Sequence, residues 1–128
     1  MSEHPPGGPA LVIEQLLGRA GDLSALSTLA WLPLRPGVDI HRLWGEGPEQ
    51  PGAALLRYAP GGRVPLHEHR GYEQILVLSG WQADETRRYE AGTLFVHAPG
   101  TRHAVVSPEG CVVLAVWQGG VEIVEPEP

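Results

Sequence analysis

The sequence predicts an all-β domain, and three observations support that fold class. From position 33 onward the chain is a succession of eight to ten short β-prone runs at roughly even spacing. Its 17 glycines and 13 prolines make almost a quarter of the residues and are spread between those runs. A composition of 42% hydrophobic and 19% charged residues is that of a globular protein. Many turns between short strands are typical of a β-sandwich or a β-barrel.

The bulk properties indicate a single domain over residues 1–128 and exclude several classes of partner. A formal net charge of −6 disfavours nucleic-acid binding, because an acidic surface repels phosphate backbones. No apolar segment has the length needed to cross a bilayer, so we expect no membrane contact. The single cysteine, Cys111, excludes an internal disulfide and fits a reducing compartment. The N-terminus lacks the pattern of an export signal, and we therefore expect a cytoplasmic protein.

The two ends of the chain differ from its centre. Residues 1–9 and 125–128 are rich in Pro, Gly and charge, and we predict flexible tails there. Residues 10–34 form an apolar N-terminal extension, which is either helical over 10–20 or an extended segment laid across a neighbouring subunit. Such a segment would cover a sheet edge, so we expect a homodimer. The predicted barrel occupies residues 35–124.

The predicted strands of the barrel alternate with turn signals. A loop over residues 45–52 and the turns rich in Gly and Pro separate them. The main runs are VDIHRLW (38–44), AALLRYA (53–59), RVPLHEH (63–69), EQILVLS (73–79), TLFVHA (93–98), HAVVS (103–107), CVVLAVW (111–117) and VEIV (121–124).

Two histidines one residue apart form the clearest chemical signal. In a strand, residues i and i+2 point to one face, so His67 and His69 are neighbours. A turn at residues 70–72 brings Glu73, at the start of the next strand, beside them. Two imidazoles and a carboxylate suit zinc, iron, manganese, nickel or copper, but not calcium. An isolated His-x-His pair is most often a surface feature, so the prediction of a metal site depends on the rest of the chain.

A second stretch of similar pattern offers a further ligand. Gly92 opens a strand, Pro99 and Gly100 make a turn, and His103 begins the next strand. The stretch 61–80, with the spacing Gly61-x5-His67-x-His69-x3-Glu73-x6-Gly80, resembles the first motif of the cupin family. The stretch 92–107 resembles the second cupin motif, with its proline displaced by one position and Ser107 where the family commonly has Asn. The flanks 31–44 and 107–117 resemble the cupin domain of ChrR-type anti-sigma factors.

The resemblance implies a fold and a site. Cupins are small RmlC-like jelly-roll barrels that hold one divalent metal ion inside the barrel. Carried over onto this sequence, the metal ligands are His67, His69, Glu73 and His103. Zinc is the favoured ion, with iron, manganese and nickel as alternatives. The family also implies a homodimer.

Other residues are assigned from their neighbourhood in the sequence. Tyr58, Trp81 and His97 are candidates for lining the interior of the barrel, and the sequence identifies no catalytic residue. The stretch DETRRYE over residues 84–90 is interpreted as a solvated hairpin. Cys111 is expected to be a small buried hydrophobic residue.

Two functions follow from the resemblance, and the sequence leaves both open. The first is a metal-binding cupin of sensory or regulatory type, as in ChrR. The second is a small metal-dependent enzyme, such as a dioxygenase acting on a diketone or hydroxyketone. Either function would accommodate a small-molecule ligand.

Binding of a sigma factor is not expected from the sequence. ChrR-type proteins are understood to hold their sigma factor with a separate zinc-binding N-terminal domain rich in Cys and His. Here about sixty residues precede the first motif, and they contain no cysteine.

Overall fold

The computed structural model describes residues 24–47 and 49–124, and it confirms the all-β class. A short 3-10 helix over Ser24–Thr28 is followed by ten strands. The strands are β1 Leu32–Arg35, β2 Val38–Trp44, β3 Gly52–Tyr58, β4 Gly62–His69, β5 Glu73–Ala83, β6 Arg88–Glu90, β7 Leu94–His97, β8 Arg102–Ser107, β9 Cys111–Trp117 and β10 Val121–Ile123.

Some of the sequence predictions fall outside the described residues. The predicted helix over residues 10–20 and the predicted tails at 1–9 and 125–128 lie there. The predicted extension over residues 10–34 is described only from Ser24 onward. Its last part contributes the beginning of β1, which pairs with β2, so the observed strands begin at Leu32 rather than at residue 35.

The strands form one curled antiparallel sheet with the neighbour order β1-β2-β3-β9-β5-β8-β4-β10. Strand β5 is the longest, at 11 residues, and it joins the two halves of the sheet. Its first part pairs with β7 and β9, and its last part pairs with β6 and β8. A register shift between Val77 and Ser79 lies between these parts. The bulge bends the strand, which allows the sheet to curl into a barrel.

Alternation along the strands places the apolar core inside the curl. Strand β9 is almost continuously apolar, with Val113 fully buried, because it lies between β3 and β5 in the middle of the sheet. The main core also contains Cys111, which is 4% exposed. Burial raises the pKa of the Cys111 thiol to about 11, as expected for a structural cysteine. Its predicted role as a small buried residue is what the structure shows.

Within the described residues, no helix has the length and apolar character required to span a bilayer.

One glycine of the bulged strand β5 is required by a close backbone contact. Gly80 has a φ of +68°, and a Cβ atom added to it would lie 2.2 Å from the carbonyl oxygen of Gly110. Gly61 has a φ of +82°, but an added Cβ would meet nothing within 4 Å. A substitution at Gly61 therefore tests backbone strain alone, whereas a substitution at Gly80 adds a steric collision.

We predict that Gly80→Ala destabilises the protein more than Gly61→Ala. The left-handed conformation alone costs about 1–2 kcal/mol per residue. Gly61→Ala should lower the free energy of unfolding by about that amount, whereas Gly80→Ala should add the backbone collision and cost more than about 3 kcal/mol. Urea unfolding of both variants measures the difference, and equal losses would contradict the steric explanation.

Candidate metal centre

Three buried histidines meet on one wall of the barrel. His67 and His69 lie on β4, and His103 lies on β8 directly opposite His67 in the antiparallel register. Their side chains are 4%, 1% and 7% exposed. One ring nitrogen from each lies within 4.8 Å of the others. Nitrogens that share one ion at about 2.1 Å each lie at most about 4.2 Å apart, so an ion would need the three rings at this separation or slightly closer.

Hydrogen bonds fix the tautomer of all three rings. Nδ1 of His67 lies 2.8 Å from the Pro65 carbonyl oxygen, and Nδ1 of His69 lies 3.1 Å from the Thr101 carbonyl oxygen. A carbonyl oxygen only accepts, so each Nδ1 carries the proton and donates it. The Nε2 lone pair of each ring is then left for another partner. Histidine ligands of protein-bound metals usually donate their other ring N–H in this way.

The third ring is oriented by Asp84. Nδ1 of His103 donates to Oδ2 of Asp84 over 3.0 Å, and the Asp84 side chain is only 3% exposed. Burial opposes ionisation of Asp84, but hydrogen bonds from His103, Thr86 and Tyr89 outweigh it and hold the pKa of the carboxyl well below its usual range. A permanently charged carboxylate behind His103 raises the basicity of its Nε2.

Glu73, the fourth predicted ligand, lies at the start of β5 and is not part of the trio whose ligand atoms converge within 4.8 Å. Its Oε1 lies 3.2 Å from Nε2 of His69. Yet among the described residues, this buried nitrogen has no hydrogen-bond partner. The distance is that of an ion pair, but the geometry is not that of a hydrogen bond. With Nδ1 protonated, Nε2 is an acceptor, and it faces a carboxylate oxygen of Glu73, whose side chain is 17% exposed. A cation between them would satisfy both, which is how the residues fit a metal ion.

The electrostatics of the cluster favour the neutral form of His67. Burial, together with the neighbouring His103 and His69, lowers the pKa of His67 to about 4, against the opposing effect of its hydrogen bond to the Pro65 carbonyl group. At neutral pH this imidazole is therefore uncharged. A neutral imidazole is the form that ligates a metal ion.

His97 packs beside the cluster. Its ring stacks on His69 with centroids 4.5 Å apart and an angle of 8° between the planes, and it lies 4.2 Å from the ring of His103. Burial lowers its pKa to about 4, helped by His103 and His69. Its Nε2 is buried and has no hydrogen-bond partner among the described residues. His97 is not part of the trio whose nitrogens converge, so its contact is a packing contact that restrains two of the rings.

A cavity of about 240 Å³ opens beside the cluster. Its wall includes His67, Glu73 and His103, so three of the four predicted ligands border the same space. Tyr58 on β3 also lines it. Burial, with smaller contributions from Cys111 and Glu73, raises the pKa of Tyr58 above its usual range, so its hydroxyl keeps the proton.

Trp81 and His97, both predicted to line the interior of the barrel, are not among the residues that line this cavity. The Arg88 guanidinium covers the ring of Trp81 at 3.6 Å from the centroid. Its neighbour Gln82 faces the cavity instead, 3% exposed. Side chains alternate along β5, so the bulge before Gly80 decides which of these two residues points inward.

The structure also corrects the interpretation of residues 84–90 as a solvated hairpin. The turn is present, because the Asp84 amide donates to the Arg87 carbonyl oxygen and β6 pairs with β5. Asp84 itself is buried against His103, 19 positions away in the sequence. The charged stretch over residues 84–90 contains no pattern that would predict this contact. An aspartate at the start of a turn is ordinarily explained by the turn alone, and Oδ1 of Asp84 does accept from Thr86.

Comparison with known proteins identifies relatives of this chain. It matches the family model of the ChrR cupin-like domain over residues 20–122. Over 65 residues it is 43% identical to the anti-sigma-E factor ChrR of Cereibacter sphaeroides, a match covering 48% of this chain and 30% of that protein. The matched segment therefore spans less than a third of that relative.

Solved structures show the same architecture. The crystal structure of Rhodobacter sphaeroides SigE in complex with the anti-sigma ChrR is similar with a TM-score of 0.67 and 28% identity, covering 88% of this chain and 71% of that one. The polyketide cyclase RemF from Streptomyces resistomycificus is similar with a TM-score of 0.66 and 19% identity, covering 79% and 83%. The DMSP lyase DddQ from Ruegeria pomeroyi is similar with a TM-score of 0.63 and 22% identity, covering 83% of this chain and 66% of that one. The last two likenesses show the fold alone.

The contact between Asp84 and His103 generates a test of the site. We expect Asp84→Asn to weaken Zn²⁺ binding about 10–100-fold, because the ring loses the carboxylate that fixes its tautomer. Competition with a chromogenic chelator measures the affinity. Asp39→Asn is the matched control, since Asp39 pairs with Arg57 and its side chain is 40% exposed. Unchanged Zn²⁺ affinity in Asp84→Asn would refute the positioning role.

Proposed function

Because the chain belongs to the ChrR cupin-like family, we propose that it is a metal-binding cupin of sensory or regulatory type. One divalent ion, zinc in the first place, is held by His67, His69, Glu73 and His103. The observation that carries the proposal is the contact between the buried Nε2 of His69 and Oε1 of Glu73, two acceptors 3.2 Å apart. A cation is the natural partner of both.

The donor set favours zinc. Three imidazole nitrogens and one carboxylate oxygen are borderline ligands that suit Zn²⁺, and four protein ligands complete its tetrahedral shell. Such an ion would stabilise the contact between β4, β5 and β8 and leave little chemistry of its own. In this respect the site fits a structural or sensory role better than a catalytic one.

The residues around the cavity support the same choice. Among the described residues that line it, Glu73 is the only carboxylate, and His67 and His103 are the only histidines. All three belong to the proposed ligand set. No separate general base is therefore available in that part of the wall for proton transfer to or from a substrate.

A metal-dependent enzyme, such as a dioxygenase acting on a diketone or hydroxyketone, is the second candidate. One observation favours it: the cavity is bordered by three of the four proposed ligands. A small molecule there would lie next to the ion. This alternative requires iron in place of zinc and an exchangeable position on the ion.

Sigma-factor binding is not part of the proposal. The curated relative is an anti-sigma-E factor, but the matched segment covers 30% of it, so the activity of the whole relative is not carried over.

Metal analysis and oxygen uptake separate the two functions. Protein purified without added metal should contain one Zn²⁺ per chain and should consume no oxygen with a β-diketone. The double variant His67→Gln/His103→Gln is the control that should lose the metal. Stoichiometric iron with diketone-dependent oxygen uptake would replace the sensory proposal by the enzymatic one. Protein that binds no divalent metal under any loading condition would overturn both.

The proposal includes a homodimer. Strand β1 is at one end of the sheet and presents Leu32 and Leu34, which are 64% and 42% exposed. An apolar edge strand is a natural surface for a second copy. We expect Leu32→Lys to shift the mass measured by light scattering from dimer to monomer. Leu94→Lys, at a position 63% exposed on β7, should leave it unchanged. A monomeric parent protein would exclude the dimer.

A further inference from the structure

We propose that the cavity beside the histidine cluster binds a small carboxylic acid, whose carboxylate is held by Arg42 and by the hydroxyl of Tyr58. The inference deepens the proposed function, because it names a ligand class for the same site. It is argued from the opposite wall of the cavity, so it does not depend on which metal is bound.

Tyr58 supplies the first evidence. It is 6% exposed and lines the cavity, yet among the residues that the structure describes its hydroxyl has no hydrogen-bond partner. The hydroxyl is not one of the fully buried atoms that lack a partner, so a molecule in the cavity can reach it. Leu56 lines the cavity from the same face of β3, whereas Arg57 between them belongs to the other face. A ligand oxygen in the cavity would accept the proton that Tyr58 has available.

Arg42 supplies the second piece of evidence for a bound carboxylate. It lies on β2, on the same face as Ile40, and both line the cavity. Within the described part of the chain, no carboxylate lies at ion-pair distance from it. Arg57 on the neighbouring strand is different, because it pairs with Asp39 at 2.9 Å and lies over the ring of Trp31. The cavity therefore has a guanidinium whose fork is available to an anion.

The charge of the wall favours an anionic ligand. Arg42 lines the cavity, and Glu73 is the only carboxylate among the described residues of its wall. A divalent ion at the cluster would offset the charge of Glu73 and add positive charge to the same space. An anion that enters the cavity is attracted by the guanidinium group and by the ion.

The remaining wall distinguishes a carboxylate from a phosphate. One arginine can bind both oxygens of a carboxylate, with a tyrosine hydroxyl as an additional donor. A phosphate brings more oxygens and a higher charge than these groups satisfy, and burying them against apolar side chains is costly. Much of the wall is apolar and would pack on a carbon chain: Ile40, Leu56, Val64, Ile75, Val105 and Ala115.

The size of the cavity limits the ligand. A volume of about 240 Å³ is that of about eight water molecules at about 30 Å³ each. Such a space suits an acid of roughly four to eight carbons rather than a long-chain fatty acid.

Isothermal titration calorimetry with hexanoate tests the inference on zinc-loaded and on EDTA-treated protein. Hexanoate should bind both forms, and hexanamide, which lacks the charge, should bind at least about tenfold more weakly. Arg42→Gln and Tyr58→Phe should each weaken hexanoate binding about tenfold or more, without changing the zinc content. Arg57→Gln is the matched control, since this arginine faces away from the cavity, and it should bind hexanoate like the parent protein. Near-UV circular dichroism verifies the fold of each variant.

Each outcome separates this inference from the proposed function. Hexanoate binding that requires zinc and is unaffected by Arg42→Gln would place the carboxylate on the metal ion, which overturns the inference and leaves the metal site standing. Binding to protein that takes up no metal would support the inference and overturn the proposed function. No binding of hexanoate to either form, or equal binding of phosphate and hexanoate, would overturn the inference alone.

Discussion

The site depends on two acceptors that face each other, the buried Nε2 of His69 and Oε1 of Glu73, 3.2 Å apart. Two lone pairs held that close in a poorly hydrated interior repel, unless a positive charge lies between them. The folded chain can hold this arrangement because His69 on β4 and Glu73 on β5 lie on strands whose backbones are fixed by pairing with other strands, β4 with β8 and β5 with β9. Unfavourable contacts of this kind are characteristic of ligand sites, where the surrounding structure holds the side chains in place.

The barrel imposes this geometry through the backbone rather than through the ligands themselves. Antiparallel pairing sets His67 opposite His103, and the amide of His69 donates to the Thr101 carbonyl oxygen. Two of the rings are oriented by main-chain carbonyl groups and the third by Asp84. Orientation therefore comes from three separate segments, so the cluster is preorganised wherever the strands are correctly paired.

The sequence predicted the fold class and placed the candidate ligands close together, because strand periodicity and turn length are local properties. His67, His69 and Glu73 are separated by one turn, and the spacing of the second motif located His103. The residues that line the cavity or orient the ligands were less predictable. A bulge in β5 decides which of Trp81 and Gln82 points into the barrel. The bulge arises from the pairing of β5 with β9, which the sequence does not reveal. Asp84 reaches His103 only after the sheet has curled, so its role is a tertiary property that no local pattern contains.

The burial of Cys111 has a consequence for how such a domain could respond to its surroundings. With a pKa of about 11, only about one thiol in ten thousand is a thiolate at pH 7, and the thiolate is the form that peroxides attack. The sequence contains no other cysteine. Oxidation of Cys111 in the folded chain is therefore disfavoured both by its burial and by its small thiolate fraction.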